Sequence, residues 1–179
     1  ASPVNASTGP GGEYGRLVDS STGKTVDTAA LTAQLQGALQ RGTHDFTIPV
    51  NETQPSVTSD SYLASLGITK LISTGMSDFS GSAPGRRQNV VTAANLINGL
   101  LIPPRKIWSY NKGIGEINAN KNFVPAGATE NGILGTAVGG GGCQVSTTVF
   151  RAALFAGMPI QEWWPHAFRE IYYEQGGWS

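Results

Sequence analysis

The sequence has few of the side chains that bind metals or form cross-links. Its 179 residues include one cysteine, Cys143, and two histidines, His44 and His166. A single cysteine excludes an internal disulfide, and three such residues cannot complete a structural zinc site of four Cys and His ligands. We therefore expect neither a metal ion nor another cofactor.

Charge and long apolar runs are also scarce. Only 13% of the residues are charged, against about 25% in an average domain, and the 12 basic and 12 acidic residues cancel. A balanced charge gives no support for a nucleic-acid or anionic-membrane surface. No run of about 18 apolar residues is present to span a membrane. The low charge suits an extracytoplasmic protein of the cell envelope or a secreted one, and we expect the signal or anchor to lie outside this sequence.

The pattern of apolar and turn residues predicts an α+β fold with a largely antiparallel sheet. Helices are expected at 28–40, 59–67, 88–98 and 144–155. Strands are expected at 44–52, 68–74, 105–111 and 167–173. Residues 1–15, rich in Gly, Ser, Pro and Asn, are predicted to be a flexible leader.

The stretch GGGGCQ places the one thiol after four glycines, at the predicted start of a helix. A helix N-terminus favours a thiolate over a thiol, and a neighbouring imidazolium favours it further. His166 is the better candidate partner, because it follows the helix that Cys143 begins. The N–H groups of the glycines and of Cys143 are candidates for an oxyanion pocket. The alternative is a cysteine packed in the core, which is the commoner fate of a free thiol.

Two phosphate-binding motifs are excluded at this loop. A Walker loop requires Gly-Lys-Ser/Thr, whereas Gly142 is followed by Cys143 and Gln144. A dinucleotide-binding turn requires an acidic residue about 20 positions on at the end of a strand, and Glu162 lies in a different kind of segment.

Four segments together resemble the VanW-like domain of bacterial cell-envelope proteins: RRQNVVTAANLINGLLIPP, WSYNKGIGEI, GGGGCQVSTTVFRAALFAGMPI and PHAFREIYY. The resemblance covers residues 70–179, and the GGGxCQxSTT block is its most specific part. Residues 16–69 resemble, more loosely, the C-terminal part of a peptidoglycan-binding domain that often precedes it.

The resemblance implies a protein that acts on peptidoglycan stem peptides. Some members of the family are regarded as cysteine L,D-transpeptidases, which join the third residues of two stems through a thioester acyl-enzyme. On this chain the nucleophile would be Cys143 and its partner His166. Two alternatives remain open: a non-catalytic peptidoglycan- or glycopeptide-binding module, and a cysteine peptidase or amidase in which water replaces the acceptor amine.

Further site residues follow from the same resemblance. The loop residues Gly141, Gly142 and Gln144 would serve the oxyanion pocket. Substrate-binding roles would fall to Arg86, Asn89, Trp108, Tyr110, Asn111, Ser146 and Thr147. The chain departs from the family pattern at Trp163-Trp164, where an arginine is common. It also ends before the family's Asp-Ala-Thr strand, so we expect a domain truncated at its C-terminus.

Overall fold

The computed structural model describes residues 1–130 and 133–166 of the chain. Its helices are α1 (Thr28–Arg41), α2 (Ser59–Ser65), α3 (Pro84–Ile97), α4 (Tyr110–Ile114) and α5 (Gly142–Phe155). Its strands are β1 (Ser7–Gly11), β2 (Tyr14–Val18), β3 (Gly23–Val26), β4 (Val50–Thr53), β5 (Leu100–Leu101), β6 (Pro125–Glu130) and β7 (Ile133–Val138). The α+β prediction is confirmed. The predicted strand at 167–173 lies outside the described residues.

Two compact units divide the chain. The first comprises residues 1–10 and 15–69, and the second comprises residues 11–14 and 70–179. Helices α3, α4 and α5 and the β6–β7 hairpin all belong to the second unit.

The first unit is built around α1 and the β3–β4 pair. Strands β3 and β4 are antiparallel, with Gly23 opposite Thr53. Helix α1 begins and ends as its sequence predicts, because the Asp27 carboxylate accepts from the Ala30 N–H at 2.9 Å and Gly42 closes the last turn. The first 15 residues do not form the flexible leader that the sequence predicts, because they contain β1 and the start of β2. Ala6 is buried, and its N–H donates to the Val57 carbonyl at 2.9 Å.

The core of the second unit lies where α3 packs against α4 and α5. It contains Val90, Ala93, Ile114, Phe123 and Val145. Strands β6 and β7 form an antiparallel hairpin in which Pro125 pairs with Val138. The hairpin therefore delivers the chain directly to the glycine loop in front of α5.

Two of the expected strands are absent from the described structure. Residues 68–74 form no strand, and near the end of this segment the Ser73 hydroxyl donates to the Ala152 carbonyl on α5. Close behind, Gly75 lies so near the Thr148 carbonyl that a side chain there would collide with it. The expected strand at 105–111 is replaced by the start of α4, where Ser109 is the N-cap and accepts from the Lys112 N–H at 3.4 Å.

Asn89, on α3, ties that helix to both ends of the β6–β7 hairpin. Its side chain is fully buried. The amide nitrogen donates to the carbonyls of Val124 and Gly140, both at 2.9 Å, and the amide oxygen accepts from the Val124 N–H at 2.8 Å. A buried amide with three backbone partners fixes the spacing between α3 and the glycine loop.

Asn89→Ala should lower the free energy of unfolding by about 2–4 kcal/mol, because it leaves buried backbone groups without partners. Gln88→Ala is the matched control. Its exposed side chain makes a hydrogen bond to the Asn122 carbonyl at 2.9 Å, so its loss should cost about 0.5 kcal/mol. Urea unfolding curves of the two variants measure the difference, and equal costs would contradict the role given to Asn89.

Candidate functional site

The thiol of Cys143 is exposed, although it stands between two buried residues. Cys143 is the second residue of α5, after the loop at residues 139–141. Gly142 and Gln144 on either side are buried, whereas Cys143 is a free, exposed cysteine. The expectation of a thiol at a helix N-terminus after a glycine loop is met. The alternative prediction, a cysteine packed in the core, is wrong, because Cys143 is exposed.

The side chain of Gln144 anchors the first turn of α5 on its interior side. Only 1% of Gln144 is exposed. Its amide nitrogen donates to the Asp78 carbonyl at 2.8 Å and to the Ser77 hydroxyl at 3.2 Å. Its amide oxygen accepts from the Arg86 guanidinium at 2.6 Å. Both N–H groups of this amide donate to partners inside the protein, so the side chain cannot also donate to a substrate oxyanion.

Arg86 and Asn89 are both committed to the protein's own structure. Arg86 donates to Gln144 and, at 3.2 Å, to the Ser82 hydroxyl, while Asn89 holds the hairpin. The prediction that Asn89 binds substrate does not fit a fully buried side chain with three backbone partners. Sequence reasoning found both positions and gave Asn89 the wrong role.

The glycine loop is required by packing within the protein. A Cβ atom on Gly140 would lie 2.6 Å from the Ala126 carbonyl oxygen and 2.5 Å from that of Gly127, both on β6. Gly141 has φ 108°, a conformation that side chains disfavour. The space around Gly142 is open, since the nearest atom to its Cβ position is the Tyr110 hydroxyl at 4.0 Å. Close approach of a substrate therefore does not explain Gly140 or Gly141.

The backbone N–H groups around the thiol differ in their availability. The Gly142 N–H donates to the Gly139 carbonyl and the Gln144 N–H to that of Gly141, both at 3.0 Å. These two amides are occupied, which removes them from the expected oxyanion pocket. The Cys143 N–H belongs to the first helical turn, whose donors lack acceptors within the helix. No residue in the described part of the chain accepts from it.

Tyr110 reaches this turn from α4. Its hydroxyl donates to the Gly142 carbonyl at 2.8 Å. The ring meets that of Trp108 edge to face, with centroids 6.3 Å apart and an angle of 79° between the planes. Trp108 has a buried indole nitrogen with no hydrogen-bond partner among the described residues. The predicted aromatic residues thus support the thiol turn, and Asn111 beside them is exposed on α4.

Ser146, Thr147 and Phe150 share the helical face of the thiol. They follow Cys143 by three, four and seven residues, the spacings at which side chains line one side of a helix. Trp163 packs on this face, with its ring centroid 6.4 Å from that of Phe150. Ser146 and Thr147 therefore lie on the same face of α5 as the thiol, and their substrate-binding roles stay predictions.

His166 is half-buried and follows Trp163 by three residues. Three extended residues span at most about 10 Å, and Cys143 and Phe150 are about 10.5 Å apart along the axis of α5. The contact between Trp163 and Phe150 thus places the start of the histidine segment on α5, about two turns beyond Cys143. Glu162, four residues before His166, accepts from the Trp164 indole N–H at 3.0 Å.

One carboxylate next to the site has a shifted pKa. The N–H and hydroxyl of Ser80 donate to the Asp78 carboxylate at 2.7 and 2.8 Å, and these hydrogen bonds lower the pKa of Asp78 below its usual value. The loop whose carbonyl holds Gln144 thus carries a charged group at neutral pH. Within residues 1–130 and 133–166, no three His, Cys, Asp or Glu side chains gather in a way that would bind a metal ion.

Comparisons with known proteins extend the assignment beyond the geometry. The family model described as "VanW like protein" matches residues 85–177, which is more than half of the chain. The uncharacterized protein YoaR of Bacillus subtilis (strain 168) is 30% identical over 126 residues. That match covers 70% of this chain and 41% of YoaR, so the chain spans about two fifths of its relative's length. No solved structure matches.

The matched range contains the glycine loop, the exposed thiol, Arg86, Tyr110 and Gln144 around its turn, and His166. Taken with the confirmed α+β fold, this shows that the chain belongs to the VanW-like family.

Proposed function

We propose that this chain is a peptidoglycan-acting cysteine L,D-transpeptidase of the cell envelope, with Cys143 as its nucleophile. One observation carries the proposal: the thiol is exposed on a helical turn whose neighbouring residues are buried and hydrogen-bonded. Proteins of the VanW-like family are associated with the cell envelope, which fits a substrate of the wall.

The exposure of the thiol favours a chemical role over a structural one. Free cysteines are among the most buried residues and usually act as small apolar side chains. Cys143 gains nothing from burial, yet the turn that carries it is held by Arg86, Gln144 and Tyr110. A rigid turn that presents a thiol to solvent is the arrangement that nucleophilic catalysis requires.

The reaction would proceed through a thioester. The Cys143 sulfur attacks the carbonyl carbon of the amide bond before the terminal D-Ala of a tetrapeptide stem, and the developing oxyanion accepts from the Cys143 N–H. The C–N bond then breaks, and D-Ala leaves with a proton from His166. A side-chain amine of a second stem loses its proton to the same imidazole and attacks the thioester. The new amide forms as the sulfur leaves, and the enzyme is regenerated.

The helical face of the thiol would contact the stem. Ser146 and Thr147 are half-buried and lie one turn beyond Cys143. Their hydroxyls are suited to the peptide groups of an extended substrate, because each can donate and accept.

None of the helices in the described part of the chain has both the length and the apolar character needed to cross a bilayer.

Incubation with tetrapeptide stems tests the reaction. The chain should release D-Ala and form cross-linked dimers detected by mass spectrometry. Cys143→Ala should reduce the rate at least about a thousandfold, because the nucleophile is lost. Its unfolding curve should stay close to that of the parent, since the thiol is exposed.

The products distinguish the alternatives. Free tripeptide without dimers would identify a peptidase, with water as the acceptor. Binding of stems without any product, and unchanged by Cys143→Ala, would identify a non-catalytic module and contradict the proposal.

Alkylation by iodoacetamide at about pH 6.5 tests the pairing of His166 with the thiol. We expect His166→Ala to slow alkylation about tenfold, because an imidazolium stabilises a neighbouring thiolate. His44→Ala is the matched control, as it removes the other histidine, which belongs to the first unit. Equal rates in both variants would remove His166 from the mechanism while leaving the role of Cys143 intact.

A further inference from the structure

The hydrogen bond from Tyr110 acts on the peptide unit that carries the Cys143 N–H. A carbonyl and the following N–H belong to one rigid plane and point in opposite directions in a trans peptide. The Tyr110 hydroxyl donates to the Gly142 carbonyl at 2.8 Å. It therefore helps to fix the direction of the Cys143 N–H on the other side of the same plane.

The first turn of α5 also holds this plane, because Gly142 is the first residue of that helix. Gly142 has no side chain, and outside its chain neighbours and the backbone of α5 the atom nearest to its Cβ position is the Tyr110 hydroxyl, at 4.0 Å. Gly141 before it has φ 108°, a conformation that glycine adopts without the strain that a side chain would bring. The neighbouring planes are fixed differently, because the Gly142 and Gln144 N–H groups each donate to a loop carbonyl.

We propose that Tyr110 is a positioning residue that orients and polarises the Cys143 N–H as the oxyanion donor of acyl transfer. This inference rests on the proposed function. A carbonyl that accepts a hydrogen bond makes the N–H of its own peptide unit a stronger donor. The Gly142 and Gln144 N–H groups already have acceptors. The Cys143 N–H is therefore the backbone donor next to the sulfur that the Tyr110 hydrogen bond would strengthen.

The position of Tyr110 is itself well supported. It is the first residue of α4, directly after the N-cap Ser109. The Ser109 N–H donates to the Tyr14 hydroxyl at 3.0 Å, within the same unit. The edge-to-face contact with Trp108 restricts the ring of Tyr110. A hydroxyl held in this way can select one orientation of a glycine peptide.

Tyr110→Phe, which removes only the hydroxyl, tests the inference with two reagents. Acetylation of the thiol by p-nitrophenyl acetate passes through a tetrahedral oxyanion: the C–S bond forms, the ester C–O bond breaks, and p-nitrophenolate leaves as the thiol proton goes to solvent or base. Alkylation by iodoacetamide displaces iodide and forms no oxyanion. We expect Tyr110→Phe to slow acetylation about tenfold and to leave alkylation within about twofold of the parent rate.

Tyr62→Phe is the matched control. It removes a hydroxyl bonded to Thr8 at 2.6 Å in the first unit, so both rates should stay at parent values. Unchanged acetylation in Tyr110→Phe would overturn the inference, and so would an equal loss in both reactions, which indicates a structural role. If Tyr110→Phe does not fold, Ser109→Ala replaces it. Loss of the α4 cap displaces the hydroxyl, and acetylation alone should fall, by about threefold.

Both reagents lack a stem peptide, so the result is independent of the natural substrate. A selective loss of acetylation in a chain that forms no cross-links would support the role of Tyr110 and contradict the transpeptidase proposal. Cross-linking by the parent chain, with acetylation unchanged in Tyr110→Phe, would support the transpeptidase proposal and contradict the role of Tyr110.

Discussion

The hydrogen bond between Arg86 and the buried amide of Gln144 is the interaction on which the thiol turn depends. A charged donor at 2.6 Å from a side chain that is 1% exposed makes a strong bond with little competition from water. Gln144 is the residue after Cys143, so anchoring its side chain in the interior turns the preceding side chain outward. The same amide holds the loop at Ser77 and Asp78. One polar residue thus decides which way the helix start faces.

The polar residues of the site divide into those that build it and those left for chemistry. Asn89 makes hydrogen bonds to the backbone, and Arg86 donates to Gln144. Gly140 and Gly141 are needed for packing. What remains at the surface is the Cys143 thiol with its N–H and, one turn on, Ser146 and Thr147. A rigid support of this kind lowers the cost of orienting a nucleophile. Its parts come from segments that are distant in sequence, since Arg86 lies on α3, Tyr110 on α4 and Gln144 on α5.

The sequence predicted those features that depend on local signals. Asp27 and Gly42 delimit α1, and the glycine run before an apolar helix placed Cys143 on a first turn. It failed where partners come from elsewhere in the chain. Residues 68–74 resemble a strand in sequence, but Ser73 in this segment bonds to the Ala152 carbonyl on α5. Asn89 looked like a ligand for substrate because nothing local reveals that Val124 and Gly140 surround its amide. The occupied amides of Gly142 and Gln144 depend likewise on loop geometry that composition does not contain.

The central claim is that the exposed sulfur of Cys143 carries the stem peptide as a thioester. Its most direct test is to quench the reaction with a tetrapeptide stem in acid, digest the protein, and map the adduct by mass spectrometry. The account predicts a tripeptide acyl group on Cys143 that hydroxylamine removes. Cross-linked product formed without any adduct on Cys143, or an adduct on another residue, would contradict it.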